Sequence, residues 1–199
     1  MSDQDATQLY FQEQARKTFM LLASSLSLWG DHARSLLFIA NMVWDYIDGG
    51  ADPPDPALRM FRFFSIAEML SGQAIESMAK GIRVRQDPSI VSESTWTLKS
   101  HNLVRLVEAT GLSVDAEERS VLHNLTAFIE WAGKYPIPLT AEGLTPTAHP
   151  ATDGQPSRLE SPAGTVANTA DRVVIARIME RLEVLATHAK GKAVEEERP

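Results

Sequence analysis

Apolar residues recur along this chain at the three- and four-residue spacing of helix faces, and no stretch alternates apolar with polar in the manner of a strand. The first helical segment runs from Tyr10 to Ser25, with Tyr10, Phe11, Phe19 and Leu22 among its apolar positions. Gly30 then closes a connection and Asp31 is the expected N-cap of a second helix, which carries Leu36, Leu37, Ile39, Ala40, Val43 and Ile47. The two are expected to pair as a helical hairpin. GGADPPDP, from Gly49 to Pro56, breaks the pattern, because proline and glycine do not continue a helix cheaply. A third helix is expected from Ala57 to Arg83, with Met60, Phe64, Ala67, Ile75, Met78 and Ile82 on one side and Phe63, Ile66, Leu70 and Ala74 widening the apolar arc. So broad an arc marks the central helix of a bundle. Its polar strip is Arg62, Ser65, Gln73, Glu76 and Lys80, of which Glu76 and Lys80 read as an i, i+4 surface pair.

A short helix from His101 to Thr110 is capped by Ser100, docked by Leu103, Leu106 and Val107, and stopped at Gly111. Ser113 or Asp115 starts the next, whose stripe is Val121, Leu125, Phe128, Ile129 and Ala132 and which Gly133 and Pro136 end. Asn168 or Thr169 caps the last, with the stripe Val174, Ile178, Leu182 and Leu185. The expected fold is therefore all-α: a bundle of about five main helices plus one short helix. Residues 1–138 form its core, 139–168 a flexible connection rich in Pro, Gly and Ser, 169–190 a C-terminal helix packing back on the core, and 191–199 a charged, disordered tail.

Composition narrows the function classes. A chain of 199 residues with 44% hydrophobic content supports one sizeable core. The absence of cysteine excludes disulfides, thiolate nucleophiles and cysteine-ligated zinc, and fits an intracellular, cytoplasmic setting. The N-terminus is acidic and polar where a secretory leader is basic and then apolar. The longest apolar runs fall short of the roughly 20 residues that span a bilayer, so no membrane partner is expected. A net charge of -7 argues against holding duplex DNA through a broad basic surface. Arginine outnumbers lysine, which keeps local bidentate phosphate contacts open. No Glu-x-x-His pair, HExxH, phosphate-binding glycine loop or Gly-x-Ser-x-Gly is present, and no cofactor or metal is expected. Arg119 and His123 share a polar helix face with Thr126 and Glu130, and the aspartates at 45, 48, 52 and 55 are read as caps and turns.

Two segments carry a family resemblance. SHNLVRLVEATG, with Ser100, His101, Asn102 and Leu103, and EWAGKYPIP, from Glu130 to Pro138, together resemble the HEPN (higher eukaryote and prokaryote nucleotide-binding) helical superfamily, in the subset with a WAG[RK]YP element. Lys134 stands where arginine is commoner, which keeps the charge and loses the planar fork. His101 either orders the loop before its helix or lines a ligand cleft. Trp131 and Tyr135 beside Lys134 either plug the bundle end or stack a base or nucleotide.

The resemblance also implies a homodimer and, in the ribonuclease branch, an arginine and histidine with four to six residues between them that two protomers join into a metal-independent RNA-cleaving site. Here Arg181 and His188, with six residues between them, meet that spacing, although Leu182 stands where a polar residue is usual. Arg177 lies on the same ridge. A solvated basic edge near a helix C-terminus explains the ridge equally simply. The leading expectation is a nucleotide- or RNA-associated binding module in bacterial stress or defence. The alternatives are an endoribonuclease using Arg181 and His188, and a non-catalytic interaction scaffold.

Overall fold

One long helix organises the chain. The computed structural model describes the backbone of residues 3–49, 56–91, 98–132, 147–148, 159–160 and 169–196, and the side chains of 7–49, 63–91, 98–130 and 171–188. Its helices are α1 (Asp3–Ala23), α2 (Leu26–Gly49), α3 (Pro56–Gln86), α4 (Leu103–Ala109), α5 (Ala116–Ala127) and α6 (Thr169–Glu196). A 3-10 turn covers Pro88–Ile90, and a π turn, Phe128–Ala132, extends α5. Thr147–Ala148 pairs antiparallel with Leu159–Glu160, a two-residue ladder between α5 and α6. The fold is an all-α bundle.

The broad apolar arc of α3 is covered from several sides, as its width requires. Ala74, Ile75, Met78, Ala79 and Ile82 of α3 meet Leu103, Leu106 and Val107 of α4, Val121, Leu122 and Leu125 of α5, and Val174, Ile178 and Leu182 of α6 in one core. A second cluster joins Trp44 and Ile47 of α2 to Phe64 and Ala67 of α3 and to Phe128. Trp44 and Phe128 both meet Phe64 edge-to-face, at 5.6 and 5.5 Å between ring centres.

Several local expectations are corrected. Helix α2 starts at Leu26, so Gly30 is buried inside it and Asp31 pairs with Arg34 at 2.6 Å instead of capping. Gly30 is tolerated there because α2 is held by tertiary packing, which outweighs one poor helix former. The N-cap of α4 is Asn102, whose side chain accepts from the Arg105 amide at 3.0 Å, while Ser100 accepts from Asn102 one step earlier. Gly111 follows α4 at φ +93, the left-handed position that glycine occupies without strain. Helix α6 runs on to Glu196, beyond the residue at which the charged tail was expected to begin. The α1–α2 hairpin does not form. Among the described residues, α1 reaches the body through its last turn, with Phe19, Met20 and Ala23 against Val84, Ile90 and Val91.

Helices α2 and α3 approach closely at Gly81. A Cβ there would lie 2.5 Å from the Trp29 Cβ and 3.3 Å from Leu26. Gly81→Ala gains helix propensity but must push α2 away, so a net loss of about 1–2 kcal/mol is expected in urea unfolding. Unchanged stability would show that the two helices separate without cost.

Candidate functional site

The residues before α4 are positioned by hydrogen bonds to α5. The Leu103 amide donates to Thr126 Oγ1 at 3.1 Å, and that hydroxyl donates to the Leu122 carbonyl at 2.8 Å. Held in this way, His101 lies over α3 with Nδ1 3.1 Å from Glu76 Oε2. The other oxygen of Glu76 accepts from Lys80 Nζ. Glu76 and Lys80 are therefore not a surface pair: both are buried, at 9% and 4% exposure. His101, in the segment leading into α4, reaches Glu76, and each charge of the pair compensates the other's lost hydration. The His101 side chain remains half exposed, with its orientation fixed by Glu76.

A second cluster forms where α6 crosses the start of α5. Asp115 and Glu118 make a reciprocal capping box, Asp115 accepting from the Glu118 amide at 2.8 Å and Glu118 accepting from the Asp115 amide at 3.1 Å. Glu118 is completely buried. Arg181 Nη1 donates to both of its oxygens at 2.6 and 2.7 Å, while Nη2 donates to the Ser113 carbonyl at 2.7 Å. Arg177 Nε adds a bond to Glu118 at 3.1 Å, and its Nη2 reaches Glu117 at 2.9 Å. The Glu117 hydrogen bond is the main cause of an Arg177 pKa above the usual guanidinium value, with the charges of Asp115 and Glu118 adding to it and burial opposing it.

The structure thus brings Arg177 and Arg181 together at Glu118. His188 bonds elsewhere: its Nδ1 lies 2.7 Å from the Val184 carbonyl one turn back on α6, and its side chain is exposed. Lys134 and Tyr135 lie outside the described residues, as does the side chain of Trp131. Arg119 pairs with Glu108, whereas Asp45 and Asp48, expected as caps and turns, both pair with Arg172 of α6. Each arginine with a described side chain on α2, α5 and α6 faces a carboxylate.

Two buried acids escaped the sequence reading. Glu118 was signalled by Asp115 three residues earlier, the spacing of a capping box. Glu68 lies inside the α3 arc, four residues after Phe64 and one after Ala67, and a polar residue in such an arc is itself a signal. It is 1% exposed, and its Oε1 has no hydrogen-bond partner among the described residues. Burial, with the charge of Asp171 adding, pushes its carboxyl well above the usual carboxylate range. The Trp44 indole N–H, in the adjacent cluster, is likewise without an acceptor among the described residues.

An exposed apolar face lies on α2. Phe38 is 66% exposed, Met42 57%, Ile39 47%, Leu28 45% and Tyr46 37%. Their spacing places them on one face of the helix, about 100° wide. Among the described residues no three metal-ligating side chains converge, and no helix is long and apolar enough to cross a membrane. Comparison with protein-family models, curated proteins and solved structures finds no match.

Proposed function

We propose that this chain is a non-catalytic helical interaction module that presents the outer face of α2 to an apolar helix of a protein partner. The observation that carries the reading is the stripe of Leu28, Phe38, Ile39, Met42 and Tyr46. Isolated exposed apolar residues are ordinary, but Phe38, Ile39, Met42 and Tyr46 adjoin on one face, two aromatics and a methionine among them, which is the composition of an interface core, although Tyr46 also meets Phe63 edge-to-face at 5.2 Å. A stripe of this width accepts a helix packed along it. The arginines offer less to a polyanion, since those of α2, α5 and α6 already face carboxylates.

The test is a photo-crosslinking residue at Phe38, with Met42→Glu as its companion. The expected result is one discrete protein adduct in cells, lost at least tenfold in the Met42→Glu background while the circular dichroism stays that of the wild type. Absence of an adduct, or an adduct indifferent to Met42→Glu, would remove the proposal.

A second reading follows the resemblance to HEPN proteins and is favoured by one observation, the His101 imidazole held half exposed by the buried Glu76. In it, His101 contacts a nucleotide or RNA. Fluorescence anisotropy with short RNA and nucleotides decides this: binding lost on His101→Ala supports it, and no binding ends it. Incubation of RNA with EDTA examines the endoribonuclease alternative, in which cleavage by the wild type and not by His188→Ala would replace both readings.

A further inference from the structure

Gly30, Gly72 and Gly81 are buried positions inside helices, and two of them are held small by a neighbour. A Cβ at Gly72 would lie 2.9 Å from the Ile129 side chain, and one at Gly81 2.5 Å from the Trp29 Cβ. At Gly30 the nearest atoms belong to the guanidinium of Arg34 on the same helix, 3.4 to 3.7 Å away, which is ordinary contact with a flexible tip. Glycine in a helix interior costs stability relative to alanine. Close packing therefore accounts for Gly72 and Gly81 and leaves Gly30 without a structural reason.

Gly30 lines a cavity of about 270 Å³ between α2, α3 and α6. Its apolar part is Leu26, Met78 and Ala186, with Met78 only 1% exposed. Neither Gly30 of α2 nor Ala186 of α6 carries a side chain longer than a methyl group, so the space between the two helices stays open. Arg34 and Glu183 stand at the mouth, their side chains 53% and 44% exposed. Arg34 Nη1 is 3.6 Å from Glu183 Oε1, near enough to attract and too far to hydrogen-bond. Arg34 Nη2 is committed to Asp31 at 2.6 Å, whereas no second cation meets Glu183 among the described residues. The hydroxyls of the wall are engaged locally, Ser27 with Ser25 at 3.0 Å and Thr187 with the Glu183 carbonyl at 2.9 Å. The two charges are the groups left to recognise a ligand.

We propose that this cavity binds a free apolar α-amino acid. The ligand carboxylate accepts from Arg34 Nη1, its ammonium donates to Glu183, and its side chain lies on Leu26 and Met78. A simple anion would be repelled by Glu183 and a simple cation by Arg34, whereas a molecule with both charges on neighbouring atoms satisfies the two at once. An ion pair this exposed contributes little by itself, so exchanging it for ligand contacts costs little. The volume lies below the roughly 300 Å³ at which sites for larger small molecules begin, which suits a single amino acid and is too small for a nucleotide. Gly30 then has its reason, since a longer side chain there would occupy the space of the ligand. The site goes beyond the partner-binding reading of α2 and does not depend on it.

Isothermal titration of the full chain with L-leucine, L-methionine and L-phenylalanine tests the proposal. The expected result is saturable binding of at least one of them, at least tenfold weaker for its N-acetyl derivative, which lacks the ammonium, and for its amide, which lacks the carboxylate. Gly30→Leu, which fills the cavity, and Glu183→Gln, which removes a charge at its mouth, should each weaken binding at least tenfold with unchanged circular dichroism. No saturation with any of the three amino acids overturns the site, as does equal binding of either blocked derivative. Binding indifferent to Glu183→Gln also overturns it, and that variant decides the matter if Gly30→Leu does not fold.

Discussion

Arg181→Ala is expected to lower the stability of the fold by about 2–4 kcal/mol, because it strips away the cation whose Nη1 bonds both oxygens of a carboxylate with no access to water. The upper end for a buried pair is not reached, since Arg181 is itself about one-third exposed and Arg177 keeps one bond to Glu118. Arg181→Lys retains the charge but not the fork, and the Ser113 carbonyl loses its donor, so an intermediate loss is expected. In urea unfolding, Glu118→Gln should recover part of the loss when combined with Arg181→Ala, the signature of a coupled pair. A variant as stable as the wild type would mean that Arg181 does not hold α6 to α5. That outcome would leave its guanidinium available for chemistry with His188.

Glu68→Met is expected to stabilise the protein by about 2 kcal/mol near pH 8, since it removes a buried carboxyl with an unpartnered oxygen and keeps the side-chain volume. The pH dependence has a definite sign. Burial, aided by Asp171 at the start of α6, holds the folded-state pKa of Glu68 above that of the unfolded chain. The folded state therefore binds more protons, and the Glu68 contribution to stability falls as pH rises from about 4.3 through the raised folded value. The other charged groups at this end of α6 offset little of it, as Arg172 is already engaged by Asp45 and Asp48. Glu68→Gln, which does not ionise, should abolish this part of the slope. Unfolding free energies measured from pH 4 to 9 decide the matter. Loss of stability in Glu68→Met at pH 8, with an unaltered slope, would show that the acid has a stabilising partner.

Much of the bundle was legible in the sequence because helix periodicity is local. The stripe Val174, Ile178 and Leu182 is read directly from spacing, and all three side chains are buried. The broad arc of α3 correctly indicated a helix with neighbours on several sides. Boundaries were less legible. Gly30 reads as a connection because glycine is a poor helix former, but packing with α3 carries α2 straight through it. His101, Arg177 and Arg181 were visible as candidate chemistry, yet their partners are 25, 59 and 63 residues away, and no spacing rule reaches so far.

The sequence by itself determined the all-α class, the number of helices and which residues could face inward, since each depends on residues three or four positions apart. Only the tertiary structure decided what the charges do. It turned Glu76 and Lys80 from an apparent surface pair into a buried one, tied Arg181 to Glu118, and left α1 and α2 with apolar faces that do not meet. The physical reason is that desolvation depends on which element covers a group. That element is often distant in the chain.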